Sequence, residues 1–136
     1  MASMATMVYA RAVPPRGADR TWRLEVANAG HPPVLLRDPD GTVRVLDAVT
    51  GLLVGVDATT HRETLLLDVA PGTTLIAYTD GLIERPGVDL DVGIGELCDR
   101  LAAAPVGAGP RELCDAAVAG ALDHRDDVAL LAVRFG

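Results

Sequence analysis

Thr74-Leu75-Ile76-Ala77-Tyr78-Thr79-Asp80-Gly81-Leu82-Ile83-Glu84 carries the signal from which the fold is read. Thr74 to Tyr78 is a short run of β-branched, aliphatic and aromatic residues, the composition of a buried strand. Asp80-Gly81 ends it, because Asp bonds to nearby backbone in turns and Gly accepts dihedrals closed to other residues. The strand therefore delivers a carboxylate to its own C-terminal end. Immediately upstream, Glu63 to Val69 is another apolar run. Ala70-Pro71-Gly72 between the two has the chemistry of a reversal, so the runs are expected to be antiparallel neighbours.

Working outward, Met7 to Val13 and Thr21 to Ala27 flank the turn-rich Pro14 to Asp19, and Trp22, Leu24 and Val26 alternate with Arg23 and Glu25. That alternation predicts a long hairpin with one apolar face. Pro33 to Arg37 and Val43 to Leu46 flank Asp38-Pro39-Asp40-Gly41 and predict a second hairpin. Downstream the period changes. Ile94, Leu97 and Leu101, then Leu113, Ala116, Ala117 and Leu122, recur at helical spacing, with Gly107-Ala108-Gly109 as the break and Pro110 placed to start the second helix. Val128 to Phe135 closes the chain as a nearly unbroken apolar run, the pattern of a strand covered on both faces. The class is α+β, an antiparallel β-sheet sandwich flanked by helices, and residues 1–136 read as a single domain.

Composition narrows the function. Hydrophobic residues make up 49% of the chain, enough for a packed core. The formal net charge is -7 and the 12 basic residues, all Arg, form no cluster, which excludes a nucleic-acid backbone as partner. No stretch reaches the ~18 apolar residues of a membrane helix, and Met1 to Met7 lacks a basic, apolar leader. A cytoplasmic protein without a membrane partner is expected. Cys98 and Cys114 lie in the helical patterns, far from metal-ligand spacing, and are expected to be buried free thiols.

Two segments carry chemistry. A carboxylate beside an accessible carbonyl, as at Asp80-Gly81, suits a hard cation such as Mg²⁺ or Mn²⁺, which takes oxygen ligands and keeps several waters. Asp126-Asp127 stands just before the closing strand. Taken singly, Asp-Gly is a common turn dipeptide and an acidic pair a common solvated loop. Together with Ala27-Asn28-Ala29-Gly30-His31-Pro32-Pro33, however, Tyr78-Thr79-Asp80-Gly81-Leu82-Ile83-Glu84 and Asp126-Asp127-Val128-Ala129-Leu130-Leu131 occur in an order that resembles the downstream motifs of bacterial metal-dependent protein phosphatases. The resemblance is to the PP2C-like, sporulation stage II E type and runs from about Met7 to the C-terminus.

That resemblance implies a two-metal centre of Mn²⁺ or Mg²⁺, with Asp80, Gly81 and Asp126 at the metal-holding positions and no further catalytic side chain in this stretch. Asp126 is preferred to Asp127 because eukaryotic relatives keep only the first acid of the pair. The implied reaction is hydrolysis of phosphoserine or phosphothreonine in a regulatory protein, such as an anti-sigma-factor antagonist. Glu84 matches a position able to approach a third, weaker metal, against the plainer reading of an exposed loop acid. His31 matches a position near the metals rather than the family's proposed acid, and its Gly-His-Pro-Pro setting predicts a strand-to-strand corner. His61 and His124 read as surface residues. The family's upstream Asp-x-x-Gly-His-Gly segment, source of a metal-bridging acid, does not occur in these 136 residues. The expectation is therefore an N-terminally incomplete domain with two C-terminal-half helices, weak alone and prone to homodimerise through uncovered sheet faces. The alternative is a catalytically dead domain that binds a regulatory partner.

Overall fold

The computed structural model describes residues 5–47, 54, 55, 57, 59, 62–119 and 127–136. In chain order the elements are β1 (Met7–Val13), β2 (Trp22–Ala29), β3 (Val34–Arg37), β4 (Val43–Leu46), β5 (Leu65–Val69), β6 (Thr74–Tyr78), α1 (Leu90–Ala103), α2 (Pro110–Val118) and β7 (Leu130–Arg134). The strands form two sheets, one of order β1-β2-β5 and one of order β4-β3-β6-β7, with every pairing antiparallel. The three layers are helices, the four-stranded sheet and the three-stranded sheet.

Strand alternation explains the layering. Val34 and Leu36 of β3 and Leu75 of β6 face the three-stranded sheet, where they meet Leu24, Val26 and Val69. Leu35, Ile76 and Tyr78 face the other way and pack against Leu97, Leu101, Leu113 and Ala117 of the helices. Each fully buried Leu among them contributes roughly 1.5–3 kcal/mol of hydrophobic stabilisation. Arg37 shares the helix-facing side and is buried. Its guanidinium donates to the carbonyls of Leu101 at 2.9 Å, Ala104 at 2.5 Å and Pro105 at 3.1 Å. It thereby satisfies the C-terminal carbonyls of α1 and opposes the negative end of the helix dipole. The Asp38–Gly41 turn forms as expected, with Gly41 at φ +93° and its N–H donating to the Asp38 carbonyl at 2.9 Å.

Three sequence expectations change. Glu63–Val69 and Thr74–Tyr78 do not pair: β5 joins β2 in one sheet and β6 joins β3 in the other, so Ala70-Pro71-Gly72 is a crossing between layers. The closing strand is shorter than Val128–Phe135 and is an edge strand with one open face. Leu130 and Ala132 pack against the helices, whereas Leu131 is 57% and Val133 41% exposed, because β1-β2-β5 does not extend over them. Cys98 and Cys114 are free thiols but only half-buried. Leu122 lies outside the described residues, and α2 ends at Val118.

The three-stranded sheet also has an uncovered outer face. Met7, Tyr9 and Leu66 stand on it at 54%, 59% and 62% exposure, beside the Arg11–Glu25 ion pair.

Candidate metal centre

The site is built at the end of β6. Pairing of β6 with β7 reaches Tyr78↔Leu130, and Thr79 carries the contact one residue further. The Thr79 N–H donates to the Ala129 carbonyl at 3.0 Å, and the Ala129 N–H donates to the Thr79 hydroxyl oxygen at 2.9 Å. The hydroxyl itself lies 3.3 Å from the Asp127 carbonyl and 3.4 Å from that of Ala129. Thr79 therefore fastens the residue before Asp80 to the segment that follows Asp126.

Asp80–Leu82 then forms one 3-10 turn. Leu82 donates to the Thr79 carbonyl at 3.1 Å, while Ile83 at 3.0 Å and Glu84 at 2.8 Å both donate to the Asp80 carbonyl. Leu82 and Ile83 are buried in the helix-facing core and anchor the turn from below. Asp80 is left exposed at its tip, and its carboxylate makes no hydrogen bond or ion pair with a described residue. Gly81 is buried, and none of the turn's backbone bonds ends on its carbonyl.

A free carboxylate beside a carbonyl without a backbone partner is an oxygen-only donor pair of the kind hard divalent cations take. It does not by itself hold an ion firmly. Among the described residues no group of three or more His, Cys, Asp and Glu side chains could hold a metal ion. Asp126 lies outside the described residues, as do His61 and His124, while Asp127 is exposed. Glu84 is exposed and lines an open cavity of about 390 Å³ with Gly81, Arg85 and Val88. Arg85 is tied to Glu96 of α1 at 2.7 Å.

His31 sits in the corner that joins β2 to β3. Its N–H donates to Asn28 Oδ1 at 2.8 Å, its carbonyl accepts from Asn28 Nδ2 at 2.9 Å, and Gly30 beside it takes φ +69°. Its Nε2 lies 2.9 Å from the Tyr78 carbonyl and its Nδ1 3.1 Å from the Thr6 hydroxyl. A carbonyl only accepts, so Nε2 donates a ring proton to the Tyr78 carbonyl. The ring thus links the two sheets just before the turn. Sequence reading missed Thr79 and the His31–Tyr78 link; a Thr directly before Asp-Gly was the only local sign of the first, and the second joins residues 47 apart in the chain.

The chain matches the model of the stage II sporulation protein E (SpoIIE) family over residues 2–136. Among solved structures, the RsbU and RsbW domains of Rv1364c from Mycobacterium tuberculosis are 30% identical, superpose with a TM-score of 0.71, and are matched over 82% of this chain and 33% of that one. The phosphatase domain of the cell fate determinant SpoIIE from Bacillus subtilis is 15% identical at a TM-score of 0.60, over 94% of this chain and 58% of that one. The SiaA-PP2C domain of Pseudomonas aeruginosa is 21% identical at 0.59, over 85% and 50%. The chain thus spans between a third and three fifths of the length of these relatives. Its two antiparallel sheets and two helices reproduce that part of their fold, and the chain belongs to the SpoIIE family.

Proposed function

We propose that this chain supplies the Asp80–Gly81 and Asp126 portion of a Mn²⁺- or Mg²⁺-dependent phosphatase site acting on phosphoserine or phosphothreonine in a partner protein. One observation carries the reading: the Thr79–Ala129 bonds hold the Asp80 turn against the residues that directly follow Asp126. The segment that follows Asp126 in sequence is thereby held at the end of β6 that carries Asp80. Solved relatives described as Mn presoaked and as a complex with magnesium support the choice of ion.

Bound divalent ions in such a site would lower the pKa of a water and neutralise charge developing on the phosphoryl oxygens. The chain's own part is positional. The Asp80 carboxylate and the Gly81 carbonyl present two oxygens from one braced turn, and Leu82 and Ile83 keep that turn from rotating. Substrate is taken to be a phosphoprotein of a sigma-factor pathway, such as an anti-sigma-factor antagonist. The protein is taken to work in the cytoplasm, and among the described residues no helix is long and apolar enough to cross a membrane. The open outer face around Met7, Tyr9 and Leu66 is taken as the surface through which two copies associate.

A second reading is a non-catalytic domain that binds a regulatory partner. Mn²⁺-dependent hydrolysis of p-nitrophenyl phosphate, with Asp80→Asn as control, separates the two. Turnover abolished by the substitution supports the phosphatase; no turnover and no loss of Mn²⁺ binding in Asp80→Asn rejects it.

A further inference from the structure

Two glycines stand near the start of α1, Gly93 and Gly95, in a helix whose backbone demands neither. Neither has a positive φ. Glycine inside a helix is destabilising relative to alanine, so each needs a reason. At Gly95 an added Cβ would meet nothing within 4 Å. At Gly93 it would lie 2.2 Å from the Ile83 carbonyl oxygen, 3.0 Å from the Ile83 carbonyl carbon and 3.1 Å from the Ile83 Cβ. Two of these three atoms are backbone, and Ile83 is itself buried, so no rotamer change relieves the overlap. The helix rests on the Ile83 peptide because Gly93 has no side chain.

Ile83 closes the metal-donor turn. Its N–H and that of Glu84 both end on the Asp80 carbonyl, so a displaced Ile83 peptide moves Asp80 and Gly81 with it. The Arg85–Glu96 ion pair ties the loop after the turn to the same helix at a second point.

We propose that Gly93 is a positioning residue for the donor turn: its bare Cα seats α1 on the Ile83 carbonyl and thereby fixes where Asp80 and Gly81 present their oxygens. The metal part of this inference rests on the function proposed above; the seating part does not. Residues behind a metal ligand that hold it in place typically cost roughly ten-fold or more in metal affinity when replaced.

The test compares Gly93→Ala, Gly95→Ala and Asp80→Asn in this chain by amide hydrogen exchange and by Mn²⁺ titration. In Gly93→Ala the Ile83 and Glu84 amides should exchange at least ten-fold faster while those of Leu36 and Ile76 keep their protection. Mn²⁺ binding should weaken roughly ten-fold, towards that of Asp80→Asn, and Gly95→Ala should match the parent in both. Unchanged exchange at Ile83 and Glu84 in Gly93→Ala overturns the seating. Faster exchange there with parental Mn²⁺ affinity, while Asp80→Asn still weakens binding, overturns the positioning role and leaves the proposed function intact. If Asp80→Asn leaves Mn²⁺ binding unchanged, the proposed metal site fails, and exchange alone decides the seating. Should Gly93→Ala not fold, exchange in the parent chain decides: Ile83, Glu84 and the buried amides of α1 must open together with one urea dependence, and separate opening refutes the inference.

Discussion

Tyr78 offers a stringent test of the core described above. It is 2% exposed, and its hydroxyl is buried without a hydrogen-bond partner among the described residues. An unsatisfied buried hydroxyl costs roughly 1–3 kcal/mol of desolvation that no interaction returns. Tyr78→Phe keeps the ring among Leu35, Ile76, Leu82 and Leu97 and removes only the oxygen. Loss of that atom's packing offsets part of the gain, so the variant should be more stable by about 1 kcal/mol. For a chain of this size that corresponds to an increase in Tm of roughly 3–5 °C, or an equivalent shift in urea midpoint at unchanged m. The pH dependence has a definite sign. Burial, with the neighbouring Cys98 thiol adding to it, pushes the Tyr78 phenol above its ordinary range. A folded-state pKa raised in this way favours the neutral form. Its contribution is fully present below the ordinary phenol pKa of about 10 and is lost as pH rises beyond it. Tyr78→Phe should therefore flatten the alkaline limb of the stability curve. Destabilisation by about 1 kcal/mol or more would show that the hydroxyl is partnered, an unchanged alkaline limb would show that burial does not hold the phenol neutral, and either result would refute the reasoning.

Other expected outcomes follow from single contacts. Arg37→Leu leaves the terminal carbonyls of α1 without their buried donor and should cost about 2–3 kcal/mol in urea unfolding, with early loss of helical signal. Thr79→Val removes the acceptor of the Ala129 N–H at half-exposed positions; it should cost about 1 kcal/mol of stability and weaken Mn²⁺ binding measured by titration. Gly41→Ala forces an alanine into a left-handed turn at φ +93° and should destabilise by about 1–2 kcal/mol, read as a lower Tm. Burial, followed by the Asp99 carboxylate, raises the Cys98 thiol pKa, so stability should decline as pH passes the ordinary thiol range near about 8.5, and Cys98→Ala should lessen that slope in pH-dependent urea melts.

Strand β6 was legible almost residue for residue because its apolar run stops at a dipeptide that no strand continues through. Its partner was not. Ala70-Pro71-Gly72 announces a reversal, but turn chemistry is local and does not say whether the chain returns to the same sheet or crosses to the next. The discriminating sign lay in the strands: in β5, Leu65 and Leu67 are half-buried while Leu66 and Asp68 are exposed, whereas β6 is buried on both faces, so the two strands have different environments. The same ambiguity misplaced β7, where Leu131 and Val133 are as apolar as a covered strand but face no layer. Helix α1 begins at Leu90, four residues before its apolar period becomes visible at Ile94. Asp89 caps it by accepting the Asp91 N–H at 3.0 Å, while Gly93 and Gly95 mask the start with residues that disfavour helix.

At the candidate site the legible and illegible parts divide by range. Asp80-Gly81 could be read because the carboxylate, the flexible residue and the strand that carries them are contiguous. What fixes their direction could not, because it comes from Ala129 through Thr79, from His31 across the sheets and from Gly93 beneath Ile83. Each of these acts on the peptide chain beside the donor rather than on the donor itself. A strand end held from several directions is a sounder base for a weakly ligated cation than a lone loop acid, since the donor oxygens need little reordering when the ion arrives. The same bracing implies that substitutions at Thr79 or Gly93, neither of which offers a ligand, should weaken Mn²⁺ binding in the same sense as loss of the Asp80 carboxylate.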